Sequence, residues 1–152
     1  MSKPVCLVTA PVATRSGYGA HSRDIVRSLI KLDRYDVKIW SVRWGNCPMN
    51  ALTADDPNDK MIIDRLLQQP ELPNQPELVI SILVPNEFQP VGKYNIGITA
   101  GLECSVVPPE WVDGMNRMNM NIVPSNFVSD VFKACVFDVK DDKTQQIKGQ
   151  LK

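Results

Sequence analysis

An α/β fold, a parallel sheet with helices on both faces, is what this sequence predicts, and three observations predict it. Val5-Cys6-Leu7-Val8 opens the chain as a short apolar run, a glycine-bearing segment follows, and then apolar residues recur at helical spacing. Leu78-Val79-Ile80-Ser81-Ile82-Leu83, apolar but for Ser81, is the most strand-like run in the chain. Helical and strand-like segments then alternate, and that order requires parallel strands joined by crossovers.

Taken in order, the first strand gives way to residues 10–19, where Pro11, Ser16, Gly17 and Gly19 make a loop. Ile25, Val26, Leu29, Ile30 and Leu32 are the apolar side of the first helix, with Arg23, Asp24, Arg27 and Lys31 between them. Asp-Val-Lys-Ile-Trp-Ser-Val, residues 36–42, alternates as a strand near a sheet edge does. Asp56-Pro57 is a helix start, a capping carboxylate followed by proline at the first helical position, with Ile62, Ile63, Leu66 and Leu67 as the buried stripe. Pro70, Pro73 and Pro76 make residues 69–76 an extended surface linker.

The third strand follows, then a fourth at Asn95-Ile96-Gly97-Ile98-Thr99. Pro108-Pro109-Glu110 opens a helix with Trp111, Met115 and Met118 on one face. Asn121-Ile122-Val123 is a brief strand. Ser125 or Asn126 caps a last helix, with Phe127, Val128, Val131, Phe132 and Cys135 expected inward. Beyond Val139 the chain turns polar. Residues 1–139 are therefore expected to form the domain, and residues 140–152 a mobile tail or the start of an interdomain linker.

Composition excludes several function classes. Lys and Arg total 17, as do Asp and Glu, so the formal charge is zero and no basic surplus favours nucleic acid or an anionic membrane. No stretch approaches the roughly 18 apolar residues of a membrane span. The amino terminus, Met1-Ser2-Lys3-Pro4, lacks a signal-peptide layout. Cys6, Cys47, Cys104 and Cys135 are scattered and the chain has a single histidine, so neither a metal site nor a disulfide framework is expected. A cytoplasmic setting follows.

The chemistry-bearing segments all follow strands, and in an open α/β sheet the carboxyl ends of the strands form the working surface. Gly17, Tyr18 and Gly19 sit between the first strand and its helix, where glycine lets backbone approach a ligand and the helix N-terminus offers free N–H groups. Ser22 stands where a dinucleotide fingerprint needs a third glycine, and no Gly-Lys-Ser/Thr follows. A plain tight turn would use the same glycines. His21, in the first helical turn, could bond a substrate hydroxyl through its imidazole, or could be a surface residue. Thr99, Gly101 and Glu103 lie where the fourth strand runs out into a small-residue turn. Glu103 is the candidate catalytic group, its alternative being an ion pair with Arg15, Arg43 or Arg117. Trp44 could stack on a sugar ring, and Asn86 and Glu87 could bind hydroxyls, although aromatic loop residues often only cover a core.

In order, Gly17-Tyr18-Gly19-Ala20-His21-Ser22-Arg23, Tyr94-Asn95-Ile96-Gly97-Ile98-Thr99-Ala100-Gly101-Leu102-Glu103, Pro109-Glu110-Trp111-Val112, Asn116-Arg117-Met118 and Ile122-Val123-Pro124-Ser125-Asn126-Phe127 resemble the N-terminal domain of GT-B glycosyltransferases. The group 1 (GT4-like) enzymes, including those of tailed phages, are the nearest in pattern, and the likeness runs to about Val136. It implies a Rossmann-like acceptor-side domain of an enzyme that transfers a hexose from a nucleotide sugar to an acceptor hydroxyl. The nucleotide sugar is then a co-substrate and no further cofactor is needed. The donor would be held by a second Rossmann-like domain, which could be a separate chain, and the present chain would be inactive alone. The family's histidine after a middle strand has no counterpart here. Two other classes fit the same fold: a noncatalytic binding or assembly module, and a nucleotide-binding protein of the flavodoxin or dehydrogenase type. The broken glycine fingerprint and the Ser41-Val42 ending of the second strand count against the latter.

Overall fold

A strand that is apolar on both faces has to be covered on both, and the first strand, β1 (Val5–Ala10), lies between two parallel neighbours beneath two different layers. The computed structural model describes residues 3–152; Met1 and Ser2, half of the amino-terminal stretch read for a leader, lie outside the described residues. β1 pairs with β2 (Asp36–Ser41) on one side and β3 (Leu78–Ile82) on the other, and β4 (Tyr94–Ile98) and β5 (Met120–Ile122) follow outward. The result is a five-stranded parallel sheet in the order β2-β1-β3-β4-β5, with β2 at an edge as its alternation predicts. This is the expected Rossmann-like α/β class.

One face of the sheet is sealed by two helices. Cys6, Val8, Val37, Ile39, Ile80 and Ile82 lie beneath Val26 of α1 (Gly17–Leu32) and Ile62 of α2 (Pro57–Ile63). Burial among these residues pushes the Cys6 thiol up to about 12, which leaves it a small inert hydrophobe. Ile25, Leu29 and Ile30 flank the buried stripe of α1, whereas Leu32, at the end of the helix, is exposed. Asp56 caps α2 by accepting from the Asn58 N–H. The buried Asp59 ties α2 to α1, accepting from Arg27 at 2.7 Å and from the Thr53 N–H at 3.0 Å.

α2 is shorter than the apolar spacing predicts. Leu66 and Leu67 lie past its end and continue the sheet: Ile39 N–H donates to the Arg65 carbonyl and Leu67 N–H to the Ile39 carbonyl. These bonds occupy part of the outer edge of β2, which would otherwise be open. The chain then returns to β3 through the proline segment, which forms neither helix nor strand.

The other face is covered more thinly. A 3-10 turn (Pro85–Glu87) and the buried ring of Phe88 lie over β3 and β4, joined by Leu83 and Met118. Gly97 makes room for that ring, since a Cβ there would come within 2.4 Å of it. α3 (Pro109–Asn116) is pressed onto the turn so closely that a Cβ at Gly114 would stand 1.9 Å from the Pro85 carbonyl oxygen. Glycine is needed at Gly114 for contact, not for its dihedral freedom.

A third cluster joins α3 to α4 (Asn126–Ala134) through Val112, Val128, Val131 and Phe132. Ser125 is the cap, accepting from Val128 N–H. Phe127, expected inward, is 55% exposed. Val128, Val131, Phe132 and Cys135 keep the i, i+3, i+4, i+7 spacing, and Phe127 falls one residue off that stripe.

The carboxyl-terminal expectation needs a larger correction. Residues 140–152 are not a structureless tail: β6 (Phe137–Lys140) and β7 (Ile147–Leu151) form an antiparallel hairpin that runs across the anticipated boundary at residue 139. Phe137 and Leu151 pair across it and pack against the third cluster. Asp141 organises its turn, accepting from the N–H groups of Lys143 and Thr144 and pairing with Lys148.

Candidate functional site

The loop after β1 is held by its own side chains. Thr14, fully buried, donates to the Pro11 carbonyl at 2.8 Å and shares a hydrogen bond with Ser16 Oγ. Ser16 Oγ in turn accepts from Gly19 N–H, capping α1. The Arg23 guanidinium donates to the carbonyls of Val12 and Thr14, each at 2.9 Å. Gly19 is buried because α1 begins against this loop: a Cβ there would lie 2.3 Å from the Thr14 carbonyl oxygen. Its glycine thus serves the fold directly. The expected loop ends earlier, at Ser16, and Gly17, Tyr18 and Gly19 form the first turn of α1 because the Ser16 side chain caps it; at Gly17 a Cβ would meet nothing within 4 Å, and the residue is exposed.

Tyr18 points from the first turn of α1 to the end of β4. Its hydroxyl lies 3.1 Å from Thr99 Oγ1 and accepts from Ala100 N–H at 2.9 Å. Its ring stacks on Trp44, with centroids 4.0 Å apart and planes 27° apart. Trp44 also rests on the Leu83, Phe88 and Met118 cluster. The sheet therefore brings Tyr18, Trp44 and Thr99 together, joining the loops that follow β1, β2 and β4. Trp44 gives one ring face to Tyr18 and part of its surface to the core, which restricts what it can offer a ligand.

Glu103 lies four residues beyond Thr99, on the segment that Tyr18 anchors. It is exposed and, among the described residues, makes neither a hydrogen bond nor an ion pair. Of its suggested partners, Arg15 bonds Asn50 and Arg117 sits beside Asp113. Gly101 is exposed, and a Cβ there would make only ordinary contact with Pro124. His21 is exposed one turn along α1 from Tyr18. Asn86 is exposed in the 3-10 turn, where its carbonyl accepts from Arg117 at 3.3 Å.

Sequence reasoning missed the Tyr18 hydroxyl bridge and the Arg23 clamp. The clamp had a local signal, an arginine one turn and a half into a helix that follows a bend of free carbonyls. The bridge joins residues 81 apart and had none. Among the described residues no three His, Cys, Asp or Glu side chains gather as a metal ion would need. No helix there is long and apolar enough to cross a membrane. Comparison with protein-family models, with curated proteins and with solved structures found no match for this chain.

Proposed function

We propose that these residues form the acceptor-side domain of a GT-B glycosyltransferase of the group 1 type, working in the cytoplasm on a nucleotide sugar and an acceptor hydroxyl. The observation that carries the reading is the Tyr18 hydroxyl bridge. It joins the Gly17-Tyr18-Gly19 first turn of α1 to Thr99 and Ala100, so two of the motifs that resemble the family meet at the carboxyl edge of one sheet. Glu103, exposed and without a protein partner, is then free to accept a proton or a hydrogen bond from the acceptor hydroxyl. Gly17, His21, Asn86 and Gly101 border the same edge as hydroxyl-binding or backbone-approach positions. Transfer requires donor and acceptor to be held together, so a second, donor-binding Rossmann-like domain, on the same or another chain, completes the reaction.

The test is a reconstitution. The 152-residue chain is assayed with hexose nucleotides and simple glycoside acceptors, alone and with a donor-binding domain supplied. Transfer only in the reconstituted mixture, reduced at least about a hundredfold by Glu103→Gln at unchanged stability, is the expected result. Turnover of a nucleotide sugar by these residues alone overturns the split of roles. Equal activity of the variant reduces Glu103 to a surface carboxylate.

A further inference from the structure

The thinly covered face of the sheet holds a cavity of about 430 Å³ over β1 and β2. Its origin is the proline segment: the helix of the β2-to-β3 connection lies on the opposite face beside α1, and the return over this face is made by extended chain at Pro70. No helix therefore fills the space above Leu7 and Trp40. Ligand sites of about 300–1,000 Å³ have this make-up, an apolar and aromatic body with a few polar groups at fixed places.

Leu7 and Leu83 are both buried beneath the cavity, and the Trp40 indole is a half-buried wall. Arg43, Glu87 and Gln89 line it as well. Arg43 and Glu87 carry opposite charges on one cavity, yet they form no ion pair with each other or with any other described residue. The Gln89 amide likewise has no partner among the described residues. A plain anion would meet Glu87, and a plain cation would meet Arg43. A molecule carrying both charges satisfies both residues while its apolar part covers Leu7 and Trp40.

We infer that this cavity binds a small zwitterion with a flat apolar body, of the class of an aromatic α-amino acid. Its carboxylate lies on Arg43, its ammonium on Glu87, and its ring stands against Trp40. The cavity adjoins the Tyr18, Trp44 and Thr99 edge through Leu83, on which Trp44 also rests, but none of those three residues lines it, and the inference does not rest on glycosyl transfer.

The unmodified chain, labelled with nitrogen-15, is titrated with L-phenylalanine at millimolar concentration. Phenylacetate, which lacks the ammonium, phenethylamine, which lacks the carboxylate, and methyl glucoside are titrated in parallel. The expected result is saturable shifts at the Leu7, Val42 and Leu83 amides with phenylalanine, and at least about tenfold weaker binding of each half-molecule. Arg43→Ala then weakens phenylalanine about tenfold and leaves phenethylamine no weaker, while Glu87→Gln does the converse with phenylacetate. Because both side chains are exposed, an unchanged amide spectrum elsewhere verifies the fold of each variant. Absence of shifts at these amides, equal binding of the half-molecules, or binding of methyl glucoside in place of phenylalanine overturns the inference.

Discussion

The two faces of the sheet are covered by different means. On one, α1 and α2 lay continuous apolar stripes over β1, β2 and β3, and the seal is spread over many side chains. On the other, cover comes from a 3-10 turn, one phenylalanine ring, a proline segment and α3, each touching the sheet over a short length. Amphipathic helices close a sheet face, whereas irregular chain attaches at a few points and leaves space between them. The cavity lies in that space. The contrast also concerns stability, since a face held at few points should fail by single substitutions that hardly alter buried area.

Gly114→Ala is the sharpest way to break the thin face. The added methyl group would meet backbone at the Pro85 carbonyl, so α3 must lift from the turn, and a loss of about 3 kcal/mol, the upper end for an added core methyl, is expected in chemical denaturation. A stability change below about 1 kcal/mol would mean that α3 is not fixed by this contact.

On the helix-covered face, Asp59→Ala tests the ion pair that ties α2 to α1. It removes the shortest partner of a half-buried Arg27 guanidinium, which keeps Asp24 and the Asn58 carbonyl, and it frees the Thr53 N–H, with an expected cost of about 1–2 kcal/mol. Recovery of most of that loss in the Arg27→Met, Asp59→Leu pair would assign it to the Arg27 charge.

Tyr18→Phe removes one hydroxyl from the edge between the faces and should cost about 1 kcal/mol. Faster amide exchange should be confined to Ala100 and the residues just after it. Uniform exchange across the domain would contradict the idea of a local tether.

The smallest effect belongs to the hairpin. Lys148 and the N–H groups of Thr144 and Lys143 hold the Asp141 carboxyl down to about 2. Its contribution is complete above the unfolded value of about 3.9 and is lost as the pH falls through about 2. Carbon-13 titration of that carboxyl should show the low midpoint, and Lys148→Ala should raise it. A midpoint in the ordinary carboxylate range would remove the pairing as a feature of the turn.

Legibility in the sequence followed the range of the interaction. β1, β3 and α1 declared themselves through apolar periodicity, and Asp56, Pro57 and Ser125 marked helix starts by local hydrogen bonding. The hairpin did not, because the Asp141-Asp142-Lys143 turn dominated a polar window. The alternation of Phe137 and Val139, and then of Ile147 and Leu151, was the available signal. At the candidate site, loop positions after strands put Tyr18, Trp44 and Thr99 at one edge, but their pairing depends on strand order and register, which periodicity does not carry. The same gap hid the cavity. Arg43 adjoins Trp44 and Glu87 adjoins Asn86, and which neighbour lines the cavity is decided by the course of the chain past β2 and within the 3-10 turn.

The place of β1 between β2 and β3 also constrains how the chain is made. As the polypeptide leaves the ribosome, β1 can meet β2 early, but its other edge has no neighbour until Leu78–Ile82 has been synthesised. Throughout that interval an apolar strand with unpaired backbone is exposed next to a finished helix. Long-range parallel pairing is slow, and open apolar edges recruit other strands, so this is the period of greatest aggregation hazard. Translation pauses before residue 82 should therefore lower the soluble yield more than pauses after it.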